Sequence, residues 1–231
     1  MNTAVILAGG LGTRLRPLTD NMPKPLLAVA GQPLLKWTLD NLKKYNIKRV
    51  IFALHHHAEK IKDYFGDNYK GIKIIYHVEK EPLGTAGIFN LLSEELKDNF
   101  LQIHGDILSD INIDKMMELH EKEKAICTIA LVNVEDPTPF SAVALKGNKI
   151  TEFVFKPKIE EAPSNLVSSG LSIISPKALS LINNKEVADL DKDIFKILVP
   201  EGQVAGYIHK GKWFPIDTIE KYAIANAYWT E

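Results

Sequence analysis

The feature that most constrains the fold is a regular alternation of short apolar runs and helical patterns through the first half of the chain. Runs such as Ala4–Ala8 have the length of buried strands, whereas Pro33–Tyr45 carries leucines at helical spacing. Parallel strands need crossover connections, which are right-handed and place helices on both faces of the sheet. The sequence therefore predicts an α/β fold with a doubly wound, mainly parallel, Rossmann-like sheet. The predicted series is strand Ala4–Ala8, helix Pro33–Tyr45, strand Arg49–Leu54, helix Ala58–Phe65, strand Ile72–Val78, helix Gly84–Leu96, strand Phe100–Ile103, helix Ile113–Glu123 and strand Ile126–Val134.

The second half has a different pattern, in which several strands follow one another with short turns. We interpret it as a smaller α+β extension packed on the sheet, with a boundary near Pro137–Pro139. The predicted elements are strands Val143–Leu145, Lys149–Phe155 and Leu166–Ile174, helical stretches Pro176–Ile182 and Asp193–Leu198, a hairpin of Val204–His209 with Trp213–Ile216, and helix Ile219–Tyr228.

Composition excludes several classes of protein. The 28 Lys and Arg residues nearly balance the 29 Asp and Glu residues, so nothing draws the whole chain to nucleic acid or to an anionic membrane. No apolar run approaches the roughly 18 residues of a membrane helix. A single cysteine, Cys127, excludes an internal disulfide and a cysteine-based zinc site, and it favours a reducing, cytoplasmic location.

The most informative motif follows the first strand. Leu7–Arg14 contains three glycines, whose bare backbone N–H groups can approach phosphate oxygens closely. The Arg14 guanidinium adds several hydrogen-bond donors in a fixed plane, and Lys24 is a single positive charge that lies between two prolines in the sequence. The spacing is neither the G-x-G-x-x-G of dinucleotide-binding proteins nor a Walker A loop, which makes an oxidoreductase a poor fit.

This stretch closely resembles the signature of the sugar-1-phosphate nucleotidyltransferases, G-G-x-G-T-R-L-x-P-x-T followed by P-K-P. Further similar segments are Glu81–Gly87, Gly105–Asp106, Lys156–Pro157, Ser169–Gly170 and Trp213–Thr218. The resemblance implies a glycosyltransferase-A-like fold and transfer of a nucleotidyl group from a nucleoside triphosphate to a sugar 1-phosphate. It implies one domain, residues 1–231, with a nucleotide-binding half (1–136) and an acceptor-binding half (137–231). We expect no second catalytic domain, because the chain ends soon after the last motif.

The resemblance also implies residue roles. Arg14 and Lys24 would be catalytic, holding the departing pyrophosphate and the α-phosphate, and Mg²⁺ would be held by Asp106 and Asp217. The residues implied for nucleotide binding are Leu7, Ala8, Gly9, Gly10, Gly12, Thr13, Arg14, Lys24, Glu79, Pro82, Gly84, Thr85 and Gly105. The residues implied for acceptor binding are Ser141, Lys156, Ser169 and Gly170.

Two motifs point to different bases. Glu79 lies where related enzymes contact the base, and a carboxylate accepts hydrogen bonds from the N–H groups of guanine, uracil or thymine. The Glu81–Gly87 loop resembles mannose- and heptose-1-phosphate guanylyltransferases, with muramyl uridylyltransferases similar. Trp213–Thr218 instead resembles the form found in glucose-1-phosphate cytidylyltransferases, in which Asp217 is the metal ligand. Guanylyl transfer is our first choice, and uridylyl or cytidylyl transfer to an unusual acceptor is the alternative.

The acceptor half departs from the family pattern. Phe155 replaces the glutamate that precedes Lys-Pro, Ser168 replaces an asparagine, and Ser141 replaces a glycine. We hypothesise an acceptor other than plain glucose or mannose 1-phosphate: a deoxy, amino or heptose sugar, or a non-sugar phosphate. Two alternatives stay open: a slipped register in which Glu152 substitutes, and a non-catalytic nucleotide-binding regulatory subunit. Expected partners are the two small-molecule substrates, with Tyr228–Trp229 a candidate homodimer contact.

Overall fold

The structure, a computed structural model, describes residues 1–229. The chain forms two compact units. The first unit contains Asn2–Pro82, Ile103–Asp110 and the described residues from Gly211 onward. The second unit contains Leu83–Gln102 and Ile111–Lys210, together with Met1. The position predicted as a boundary, Pro137–Pro139, lies inside the second unit.

Strands and helices alternate through the first half as predicted. In chain order they are β1 (Thr3–Leu7), β2 (Ala28–Val29), β3 (Gln32–Pro33), α1 (Leu34–Lys44), β4 (Arg49–Leu54), α2 (Ala58–Phe65), β5 (Asn68–Tyr69), β6 (Ile72–Val78), α3 (Ile88–Leu91), β7 (Phe100–His104), β8 (Ile107–Ser109), α4 (Ile113–Glu123), β9 (Cys127–Asn133), β10 (Ser141–Lys146), β11 (Lys149–Phe155), β12 (Leu166–Ile174), α5 (Lys196–Leu198), β13 (Val204–Ile208), β14 (Trp213–Pro215) and α6 (Ile219–Tyr228). Short 3-10 helices cover Thr13–Leu15, Lys24–Leu26, Ile159–Glu161 and Pro176–Leu181, and a π-helix covers Leu190–Phe195.

The first unit is built on parallel strands in the order β1, β4, β6, with β5 antiparallel at the edge. Ala4, Val5 and Ile6 are fully buried, because a parallel strand is covered on both faces. Helix α1 buries its leucines, which recur at helical spacing. It ends with Lys43 and Lys44, whose positive charges are favourable at a helix C-terminus. The predicted parallel core of the fold is confirmed.

The second unit has a mixed sheet in the order β10, β11, β13, β9, β12. Strands β13 and β9 are parallel, whereas β9–β12, β10–β11 and β11–β13 are antiparallel. Helix α4 begins where the Asn112 side chain accepts a hydrogen bond from the Lys115 N–H, which satisfies an otherwise unpaired donor. The predicted mixture of a doubly wound sheet with an α+β extension is therefore confirmed as a fold class.

Two predicted elements were wrong. The helix predicted over Gly84–Leu96 is confined to α3, because Gly84 has a φ of +75° and the backbone of this segment pairs with Ala188. The predicted hairpin of β13 with β14 does not form. Strand β13 pairs with β9 and β11, whereas β14 pairs with β8 and its Phe214 packs against an apolar cluster of the first unit.

None of the helices among residues 1–229 combines the length and the apolar character needed to cross a membrane.

Candidate active site

The end of β1 is joined closely to the end of β7. The Gly105 N–H donates to the Leu7 carbonyl at 2.8 Å, and the Ala8 N–H donates to the Ala53 carbonyl at 2.8 Å. A Cβ atom on Gly105 would lie 2.9 Å from the Ala8 Cβ, closer than such atoms approach. Gly105 is therefore required for this approach, which fixes Asp106 beside the start of the glycine-rich loop.

The glycine-rich loop folds back over Lys24. Gly12 has a φ of +65°, and a Cβ there would lie 3.1 Å from Thr19 Cγ2 and 3.3 Å from Lys24 Cβ. The Thr19 hydroxyl donates to the Gly12 carbonyl at 2.8 Å, which ties the two ends of the loop together. A Cβ on Gly10, in contrast, would meet nothing within 4 Å. The fold thus explains Gly12 but does not require glycine at position 10.

Lys24 and Asp106 form an ion pair, with Nζ 2.7 Å from Oδ2. The lysine side chain is 12% exposed and the aspartate side chain 36% exposed. Burial raises the pKa of the Asp106 carboxyl, but the Lys24 ammonium and the nearby His104 ring outweigh burial, so this pKa lies below its ordinary value. Asp106 is a carboxylate at neutral pH, held beside one cation.

Asp217 is the second predicted metal ligand, and two cations contact it. Arg14 Nη1 lies 3.2 Å from Asp217 Oδ2, and Lys221 Nζ lies 2.8 Å from Asp217 Oδ1. Lys221 comes four residues later, near the start of α6, where Thr218 caps the helix. Lys221 belongs to none of the sequence motifs, although its spacing of four residues from Asp217 was a signal that could have found it.

A two-stranded ribbon brings the two aspartates together. Strands β8 and β14 are antiparallel with Pro215 opposite Ile107, and the Ile216 N–H donates to the Asp106 carbonyl at 2.8 Å. Asp106 precedes β8 and Asp217 follows β14, so both lie at the same end of the ribbon. Among residues 1–229 no cluster of three or more Asp, Glu, His or Cys side chains suited to a metal is present. The chain thus offers two carboxylates here: Asp106 is paired with Lys24, and Asp217 is paired with Arg14 and Lys221.

The predicted base-contacting residue lies at the end of β6. The Glu79 N–H donates to the Leu54 carbonyl at 2.7 Å, and the His55 Nδ1 lies 2.8 Å from the Glu79 carbonyl. The backbone of Glu79 is thereby fixed at the carboxyl end of the parallel strands, the edge at which such sheets bind ligands. Pro82, the last residue of this segment of the first unit, is exposed.

Gly84 and Thr85 lie in the second unit, where both have structural partners. A Cβ on Gly84 would lie 2.3 Å from the Ala188 carbonyl oxygen. The Thr85 hydroxyl donates to Asp189 at 3.2 Å and accepts from the Leu190 N–H at 2.8 Å. The fold by itself accounts for these two residue types, and their contact with a nucleotide stays a prediction.

The predicted acceptor residues also lie in the second unit. Ser141 begins β10 and its hydroxyl donates to Asp191. Lys156 follows β11 with a φ of +45°, and its N–H donates to the Phe140 carbonyl at 3.0 Å. The remaining two, Ser169 and Gly170, lie at a shift of register between β12 and β9, with Ser169 fully buried and Gly170 at a φ of +82°.

Comparison with known proteins gives consistent results. A sequence model of the family described as nucleotidyl transferase matches residues 3–231. The chain is 36% identical over 220 residues to the mannose-1-phosphate guanylyltransferase catalytic subunit beta of Danio rerio, covering 92% of this chain and 60% of that protein. It is 30% identical over 229 residues to the mannose-1-phosphate guanylyltransferase of Mycobacterium tuberculosis, covering 97% and 63%.

The solved structure of HddC from Yersinia pseudotuberculosis complexed with GMP-PN superimposes with a TM-score of 0.79 at 26% identity, covering 98% of this chain and 99% of that one. The chain spans about 60% of the length of the curated relatives that it matches.

Proposed function

Because the chain belongs to the nucleotidyl transferase family, we propose that it transfers a guanylyl group from GTP to a mannose- or heptose-type sugar 1-phosphate, releasing pyrophosphate. The names of the curated relatives, both mannose-1-phosphate guanylyltransferases, support this choice of substrates. The GMP-PN bound to HddC supports a guanine nucleotide for the fold. The carboxylate of Glu79 can only accept hydrogen bonds, which suits the N1–H and N2–H₂ donors of guanine.

The observation that carries the proposal is the double pairing of Lys24 with Asp106 and of Arg14 with Asp217. The reaction joins two polyanions, so catalysis needs cations and exact positioning more than acid–base groups. An oxygen of the sugar phosphate attacks the α-phosphorus, and the bond from that phosphorus to the bridging oxygen of pyrophosphate breaks in line. We assign Lys24 to the α-phosphate and Arg14 to the departing pyrophosphate.

The donor set fits Mg²⁺. Mg²⁺ prefers oxygen ligands and is usually held by one or two carboxylates together with substrate phosphates, and Asp106 and Asp217 provide two carboxylates. When bound there, Mg²⁺ would neutralise phosphate charge. Lys24 and Arg14, each of which contacts one of these carboxylates, place positive charge where the phosphates would lie. The acceptor phosphate is assigned to Lys156, supported by Ser141, Ser169 and Gly170.

The test is pyrophosphate release with Mg²⁺ across a grid of GTP, UTP, CTP and dTTP against sugar 1-phosphates and small phosphate esters. We expect GTP with a mannose- or heptose-type acceptor to give the highest rate. Asp106→Asn should abolish turnover, whereas Asp20→Asn, a surface aspartate paired with Arg16, should not. Release with CTP alone would favour the cytidylyltransferase alternative suggested by Trp213–Thr218. Silence across the grid, with GTP still raising the melting temperature, would replace catalysis by a regulatory, nucleotide-binding role.

A further inference from the structure

An exposed aromatic ring in the second unit lies close to two ammonium groups. Phe155, the last residue of β11, is 43% exposed. Lys156 Nζ lies 5.2 Å and Lys192 Nζ lies 5.1 Å from the centroid of its ring. Cations at such distances are attracted by the electrons of the ring face. The result is an apolar surface flanked by positive charge, at a position where the family pattern has a glutamate.

Unusual backbone conformations hold both lysines. Lys156 has a φ of +45°, which residues other than glycine seldom adopt, and its N–H is bonded to Phe140. Lys192 belongs to the π-helix Leu190–Phe195, and Phe195 packs on Phe153 with ring centroids 5.8 Å apart. Strained residues and π-helical turns persist where the surrounding structure fixes them, and both concentrate at ligand sites.

A hydroxyl and a carboxylate complete this surface. Ser141 lies directly opposite Phe155 in the β10–β11 ladder, so the two side chains share a face of the sheet. The Ser141 hydroxyl donates to Asp191, the residue before Lys192. Two lysines and one aspartate give the cluster a net positive charge, which suits a phosphate dianion. A glutamate in place of Phe155 would cancel that charge.

We propose that Phe155, Lys156 and Lys192 form a surface that determines acceptor specificity. It would select a sugar 1-phosphate that presents to the Phe155 ring either a deoxy carbon or a sugar face made only of C–H groups. This inference rests on the proposed function. A carboxylate at position 155 would accept hydrogen bonds from two neighbouring hydroxyls, whereas a phenyl ring accepts none and leaves hydroxyls pressed against it unsatisfied. Apolar C–H groups lose nothing there and gain contact with the ring. Lys192 supplies a second charge for the phosphate beside Lys156.

The experiment compares acceptor KM values for mannose 1-phosphate with those for its 2-deoxy and 6-deoxy analogues, using the nucleotide with the highest rate. Phe155→Leu should raise the acceptor KM by about tenfold without changing the nucleotide KM. Lys192→Gln should raise the acceptor KM by about fivefold, while Lys196→Gln, an exposed lysine nearby, should stay within about twofold. Phe155→Glu should move the preference from the deoxy acceptors toward mannose 1-phosphate. Circular dichroism of each variant checks that it folds.

Two results would overturn the inference while leaving the proposed function intact. One is an acceptor KM within about twofold of wild type for both Phe155→Leu and Lys192→Gln. The other is an unchanged preference in Phe155→Glu. If the wild type turns over no pair, the proposed function fails, and saturation-transfer NMR with the sugar 1-phosphates alone then tests the surface. Saturation-transfer signals from the sugar C–H groups that are present with the wild type and disappear with Phe155→Leu would support the surface. Equal signals with both proteins, or no signals with the wild type, would refute it.

Discussion

The ion pair between Lys24 and Asp106 should stabilise the first unit measurably. Replacing Lys24 by Met and Asp106 by Asn, singly and together, isolates the energy of the pair in a double-mutant cycle. At the 2.7 Å separation of Nζ and Oδ2, Coulomb attraction at an effective dielectric constant of about 20 amounts to roughly 6 kcal/mol. Desolvation of both groups and the partial exposure of the carboxylate remove most of this attraction. We expect a net coupling energy of about 2 kcal/mol.

The assay is urea unfolding of the four proteins at neutral pH and low salt. Because the pKa of Asp106 lies below its ordinary value of 3.8, the stabilisation is fully present above that pH and disappears as acid protonates the folded carboxylate. The coupling energy should therefore fall when the pH drops below 3.8. A coupling energy under about 0.5 kcal/mol at neutral pH, or one that grows on acidification, would refute the assigned pair.

Three further predictions concern glycines and a buried histidine. Gly84→Ala should cost about 3 kcal/mol or more in urea unfolding, because the new Cβ would meet the Ala188 carbonyl oxygen at 2.3 Å and the φ is positive; a loss under about 1 kcal/mol would contradict this. Gly10→Ala should leave the unfolding free energy within about 0.5 kcal/mol yet raise the nucleotide KM, and an unchanged KM would show that no phosphate approaches this backbone. Burial lowers the pKa of His120, which is bonded to Thr128, so this residue should make the protein less stable as the pH falls below 6.5. His120→Asn should flatten the dependence of melting temperature on pH between 7.5 and 5.5, and an unchanged slope would contradict the assignment.

Local patterns predicted the parallel half of the fold well. Helix α1 was visible because its leucines recur at helical spacing, and β1 because an apolar run ends in glycines. The helix expected from Gly84 was wrong, since the left-handed φ there is imposed by backbone contacts with Ala188, which lies far along the chain. Pairing across such distances leaves no mark in a local pattern.

The candidate site was predictable only as far as motifs reach. The signature stretch identified Lys24 and Arg14, and the motif around Asp217 identified a carboxylate that two cations contact in the structure. Lys192 belongs to no motif, and only the packing of the π-helix brings it to Phe155. Whether these residues bind substrates stays a prediction for the experiments above.

The pairing of β8 with β14 joins a segment that is synthesised early in translation to one that is synthesised late. Asp106, Lys24 and Arg14 leave the ribosome early, but Asp217 and the β14 strand that aligns it follow only after the whole second unit has been translated. A nascent chain therefore carries one of the two carboxylates and lacks the strand that pairs with β8. The proposed pair of metal-binding carboxylates is therefore complete only after translation has passed the second unit, and a chain stalled within that unit would lack both Asp217 and β14.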